Sequence, residues 1–138
     1  MRRKITVSIK MFVNVPIRTL SESVRFWGAL GFAFNPQFTS ETTTCMIVSE
    51  DNYVMLLEDA DFRSFTDRTI TDPKSSIETI VALALDSREA VDTMMTKALA
   101  HGAREFGSGA DHGFIYHRSF VDLDGHQWEV FWMDATAA

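Results

Sequence analysis

The sequence predicts an α+β fold made of two β-α-β-β-β units in tandem. Three observations carry that prediction. An alternating apolar segment followed by a capped amphipathic one occurs twice, around Ser21 and again around Ser87. Each pair is followed by three short strand candidates, so the second unit repeats the first at an offset of about 70 residues, within the range where internal repeats are sought. The chain then closes on Asp122-Leu-Asp-Gly-His-Gln-Trp-Glu-Val-Phe-Trp-Met133. There Asp124-Gly125 signals a turn, because glycine accepts a positive φ and aspartate hydrogen-bonds its own following backbone.

With 138 residues, 46% of them hydrophobic, the chain is long enough for one compact domain over residues 1–138. Its first module covers about 10–58, a connection 59–77 and the second module about 78–134. A net charge of −6 and a pI near 5.1 argue against nucleic acid or a membrane surface as partner, since both are polyanionic. A small molecule or another protein remains. The start, Met1-Arg2-Arg3-Lys4, is basic, but neither an apolar run of useful length nor a small-residue cleavage site follows, so the protein reads as cytoplasmic. The single cysteine, Cys45, has no partner for an intramolecular disulfide, in keeping with a reducing compartment.

In the first module, Met11 to Ile17 alternates as a strand, with Val13, Val15 and Ile17 on one face and Phe12, Asn14 and Pro16 on the other. Pro16 places it near an edge or at its end. Ser21 is the expected N-cap, with Glu22 in the first turn, and Val24, Phe26, Trp27 and Leu30 form a helical apolar face closed by Gly31. Strands are expected over Phe32 to Asn35, Thr43 to Val48 and Tyr53 to Leu57.

The connection is polar and broken by Pro73, with a short helical turn expected around Asp61 to Phe65. Its length suits either a linker between similar halves or a lid over a site. Phe62 and Phe65 could cover a pocket or pin the segment to the core, and burial statistics favour pinning.

The second module repeats the pattern. Thr79 to Leu85 is a strand, Ser87 an N-cap, Ala90 to Ala100 a helix, and Gly102 its stop. Strands Arg104 to Phe106, Gly113 to Val121 and Gln127 to Met133 follow. In the last of these Trp128, Val130 and Trp132 share one face, while Gln127, Glu129 and Phe131 share the other. Glu129 is thus a carboxylate in an otherwise apolar strand.

The run Val15-Pro-Ile-Arg-Thr-Leu-Ser-Glu-Ser-Val-Arg-Phe-Trp-Gly-Ala-Leu-Gly-Phe32, the helix end Ala-Leu-Ala-His-Gly102 and the Asp122 to Glu129 run resemble the vicinal oxygen chelate superfamily. It includes glyoxalase I, extradiol dioxygenases, fosfomycin-resistance enzymes and bleomycin-resistance proteins. The resemblance runs from Phe12 to Met133 and implies two βαβββ modules whose eight strands curl into a concave half-barrel around a site, commonly in a homodimer. It speaks to the fold more than to the reaction, since one fold carries many chemistries.

In metal-dependent members the resemblance implies a ligand on the first and last strand of each module. Those positions fall at Phe12, Met55, Ile80 and Glu129. Only Glu129 carries a donor suited to a divalent cation; phenylalanine and isoleucine have none, and a thioether suits copper(I). A shift of two residues brings in Asn14, Tyr53 and Ala82, which still supply no His/Glu set. No cofactor is therefore expected from these positions.

The face opposite the apolar rows holds Phe12, Asn14, Tyr53, Met55, Ile80, Gln127, Glu129 and Phe131. A mostly apolar lining with a few polar groups is what small-molecule sites present. Glu129 there must be protonated, paired with a cation or in reach of water. It either hydrogen-bonds Asn14, Gln127 or Tyr53 without further use, or binds a ligand; a third possibility is catalysis as a metal-free general base.

A relocated divalent metal using Glu129 with His112 or His117 is the alternative, weakened because a spacing of five does not put both histidines on one strand face. His112 reads as a loop residue, and the face of His117 is undetermined. His126 lies in the turn and His101 near a helix C-terminus, where a partly cationic ring is favourable. Arg118 suits a substrate carboxylate or a surface ion pair. Cys45 has no neighbouring base and reads as a buried, inert thiol, and Ser119 lacks a nucleophile-elbow context.

Three functions follow. One is a metal-free binding protein similar to the bleomycin-resistance type, taking an aromatic or cationic ligand. The others are a glyoxalase-like lyase or dioxygenase with a relocated metal, and a non-catalytic dimeric scaffold.

Overall fold

The computed structural model describes residues 9–137; the basic start at Met1 to Lys4, with the inference drawn from it, lies outside them. Strands β1 (Met11–Ile17), β2 (Ala33–Asn35), β3 (Thr43–Ile47) and β4 (Asn52–Glu58) form one sheet in the order β1-β4-β3-β2. Strands β5 (Val81–Ala84), β6 (Arg104–Asp111), β7 (Ile115–Val121) and β8 (Gln127–Met133) form another in the order β5-β8-β7-β6. In each, the first and last strands of the module pair in parallel and the remaining pairs are antiparallel. The tandem repeat expected from the sequence is therefore a repeat of topology, and the fold class is α+β.

The chain groups into two compact units, one around the first sheet and one that takes in the second sheet and helix α1 (Leu20–Ala29). In the first unit, Val15, Ile17, Val54 and Leu56 are buried along one face of β1 and β4, as the alternation requires. Thr44 and Met46 continue that face into β3 and are fully buried. The short helix α2 (Asp59–Arg63) packs on β1 and β4, and Thr43 Oγ1 donates to Asp61 Oδ2 at 2.6 Å. Cys45 is completely buried, and burial pushes its thiol pKa up, as befits an inert group.

In the second unit, helix α3 (Arg88–Ala100) lies on β6, β7 and β8 through Val91, Met95 and Ala98, all fully buried at helical spacing. Ser87 caps it as expected, accepting from Ala90 N–H at 3.0 Å. The rings of α1 reach the same face of the sheet: Trp27 stands edge-on to Trp128 at 4.5 Å, and Phe26 lies 6.0 Å from Phe120. Phe26, Trp27, Phe120 and Trp128 are each at most 2% exposed, so this aromatic cluster is the centre of the unit's core. A helix from the first sequence repeat thus serves the sheet of the second.

Three local expectations are corrected. Helix α1 begins at Leu20, one residue before Ser21; the Leu20 N–H donates to Glu58 Oε2 at 2.9 Å, so a carboxylate distant in sequence does the capping. Strand β6 runs on to Asp111 through Gly107 and Gly109, because the Gly-Ser-Gly segment forms a bulge between Phe106 and Ala110. Gly109 has a φ of +72°, and a Cβ there would stand 2.5 Å from the His117 carbonyl, so no other residue fits. Phe65 is 75% exposed and pins nothing, while Phe62 is half-buried. Among the described residues no helix is long and apolar enough to cross a membrane.

Candidate functional site

Strand β8 sorts its side chains as its alternation predicts. Trp128 and Val130 are buried under the helices, and Gln127, Glu129 and Phe131 occupy the opposite face, half-buried. Register adds the neighbours: Ser119 and Ala82 flank Glu129, His117 and Ala84 flank Phe131, and Val121 flanks Gln127. The alanines leave room on the β5 side of Glu129. Ile80 stands just before β5 and is 49% exposed.

The decisive contact on this face is between His117 and Glu129. His117 Nδ1 lies 2.9 Å from Glu129 Oε1, with the two side chains 31% and 27% exposed. Nδ1 is itself buried, and the carboxylate approach is short without the alignment of a hydrogen bond. Among the described residues no hydrogen bond joins Gln127 to the Glu129 carboxylate, and the Tyr53 hydroxyl donates to the Glu50 carbonyl at 2.5 Å. The face of His117, undetermined from sequence, follows from parity with Phe120: three residues apart on one strand, they point to opposite sides.

On the first sheet, the expected lining residues form two registered pairs on one face, Phe12 with Tyr53 and Asn14 with Met55. The Phe12 and Tyr53 rings stack at 4.7 Å, and Lys10 Nζ stands 5.8 Å from the Tyr53 ring.

The Asp122 to Trp128 loop proves to be architecture. Asp122 accepts from Trp128 Nε1 at 2.8 Å and from the Asp124 and His126 N–H groups at 2.9 Å each. Burial, the largest influence, pushes its carboxyl pKa up against the opposing pull of His126 and those donors. Arg118 lies on the helix side, bound by Glu105 and Asp92, so it is a structural ion pair and not a ligand contact.

No protein-family model matches the sequence, and no curated protein matches it. Solved structures do. A hypothetical protein from S. aureus is 22% identical with a TM-score of 0.76, covering 94% of this chain and 95% of its own. A glyoxalase/bleomycin resistance protein/dioxygenase family enzyme from Burkholderia phytofirmans PsJN is 17% identical with a TM-score of 0.75, over 88% and 96%. The chain has a glyoxalase-like fold. The fosfomycin resistance protein FosX from Mesorhizobium loti shares it at 12% identity and a TM-score of 0.68, over 96% and 98%. At such identities the likeness establishes the fold alone.

The metal that the resemblance to metal-dependent members implies does not fit these residues. Three of the four corresponding positions are Phe12, Met55 and Ile80, and Glu129 keeps one histidine beside it. His112 sits in the β6–β7 turn, its N–H donating to the Ile115 carbonyl at 2.9 Å. Among the described residues no three His, Cys, Asp or Glu side chains come together to hold an ion.

Proposed function

We propose that this chain is a small-molecule-binding protein of the glyoxalase/bleomycin-resistance type that works without the fold's metal, with the His117–Glu129 pair as its polar handle. The observation that carries this is the 2.9 Å contact between the two on a sheet face that also presents Phe131, Val121, Ala82 and Ala84, with Gln127 and Ser119 as its other polar groups. A partly exposed carboxylate beside an aromatic ring favours an aromatic or cationic ligand, by charge and by ring-face attraction. A homodimer belongs to the same proposal and rests on the resemblance; sedimentation of the purified protein tests it.

Titration of a panel of aromatic amines and quaternary ammonium compounds, with and without chelator, tests the reading. Binding unchanged by chelator and weakened about tenfold by Glu129→Gln, the loss of one charge-assisted contact, supports it. Binding or turnover that requires added nickel, zinc, manganese or iron would overturn it in favour of a relocated metal site.

The same contact favours a second reading, metal-free proton transfer. A small turn of the ring that aligns Nδ1–H on the Glu129 carboxylate beside it would leave His117 Nε2 as the proton acceptor. Loss of deuterium exchange at an acidic C–H of a bound compound in His117→Gln, with binding retained, identifies that role.

A further inference from the structure

We propose that the cleft between the 73–77 segment and the start of β8 binds a small organic anion with an apolar body, its head a carboxylate or a phosphate monoester. The cleft has a volume of about 610 Å³, and Lys74, Ser75, Ile77, Arg104, Phe106 and Gln127 are among its lining residues. That volume falls within the range of small-molecule sites. The cleft shares its sheet face with the His117–Glu129 handle, Val121 and Gln127 bordering both, but the inference rests on the cleft's cations and not on that handle.

Charge selects the ligand class. In a chain of net charge −6, Lys74 and Arg104 both border one cleft. Among the described residues neither side chain has a carboxylate partner, whereas Arg25, Arg88 and Arg118 are each ion-paired. The carboxylate in the cleft wall, Asp122, is already taken by three N–H donors. Two cations without an ion-pair partner among the described residues therefore line the cleft. A guanidinium offers parallel N–H donors to a carboxylate or phosphate, and a lysine adds a point charge. The Ser75 and Ser76 hydroxyls, which hold no other bond among the described residues, add neutral donors.

The remaining wall is apolar. Ile77 is 59% and Phe106 51% exposed, and Val121 and Leu123 border them. Exposed apolar side chains beside unpaired cations suit a ligand with a charged head and a ring or chain.

The cations are carried on ordered backbone. Arg104 is held in β6 opposite Val121. Lys74 N–H donates to Asp72 Oδ1 at 3.0 Å, and the Ser75 and Ser76 N–H groups donate to the Asp72 carbonyl at 3.2 and 2.9 Å. This turn rests on Gly125: at φ +100°, a Cβ there would lie 3.3 Å from both Lys74 Cγ and the Pro73 carbonyl carbon. A turn held by its own hydrogen bonds reduces what binding must immobilise.

Calorimetric titration of the full chain with 2-naphthoate, 2-naphthyl phosphate and neutral 2-naphthamide tests the inference. At least one anion should bind about tenfold or more tightly than the amide, and Arg104→Gln and Lys74→Gln should each weaken that anion about tenfold while leaving the amide unchanged. Lys97→Gln, which removes the same charge on α3, should have no effect. The preferred anion names the head group. Equal affinity for the amide, or wild-type anion affinity in both cleft variants, would overturn the proposal.

Discussion

Trp128 Nε1 donates to Asp122 Oδ2 at 2.8 Å, and both residues are buried. The indole that completes the aromatic core is thereby tied to the carboxylate that organises the preceding turn. Asp122→Ala would strand that N–H and the backbone N–H groups of Asp124 and His126. The expected loss is about 3 kcal/mol in urea unfolding, since each buried donor left without a partner is costly. A loss below about 1 kcal/mol would mean that water replaces the carboxylate.

Gly125 holds a positive φ and a close contact at once. Gly125→Ala should destabilise the chain by roughly 1–2 kcal/mol from the backbone conformation alone. The added methyl should also loosen the 72–76 turn, read as faster amide exchange at Ser75 and Ser76. Unchanged exchange there would show that Lys74 moves aside without cost.

Arg88 grips Asp111 with two N–H donors, at 2.5 and 2.9 Å, and lies over the Trp132 ring. These bonds, with the Gly113 N–H, hold the Asp111 carboxyl at about 2, below its ordinary 3.8. A carboxylate lowered on folding contributes stability that is present above its unfolded pKa and lost as pH falls through the folded one. Stability should therefore fall between about pH 4 and 2, and Asp111→Asn should make that fall shallower. Asp122, whose pKa is raised, works in the opposite sense, but equally in both proteins. Superimposable acid-unfolding profiles would remove Asp111 from the explanation.

For His117 and Glu129, each about one-third exposed or less, a double-mutant cycle with His117→Ala and Glu129→Gln should give a coupling of about 0.5–1 kcal/mol, the scale of a solvent-screened pair. Coupling indistinguishable from zero would mean that the contact is geometric proximity without energetic weight.

Much of the fold was legible in the residues. β8 was expected over Gln127 to Met133 and is found there, with Trp128 and Val130 on the buried side and Glu129 opposite. Ser87 caps α3 and Cys45 is buried, as their local chemistry suggested. The misplaced features depend on distant partners. Ser21 was outcompeted as a cap by Glu58, and β6 passes through two glycines because β7 holds it across the bulge.

The sequence by itself determined the order of the elements, the repeat and the face on which each strand residue lies, because backbone sterics impose the periods of 2 and 3.6 locally. It also places Phe12 and Ile80, which have no donor atoms, at two of the four positions where the resemblance implies metal ligands. Only the tertiary structure decided that Glu129 is partnered by His117, that Trp27 of the first repeat packs on Trp128 of the second, and that Lys74 lies against Gly125. Those pairings join residues 12, 101 and 51 positions apart. They are settled by strand register and core packing, which no local period encodes.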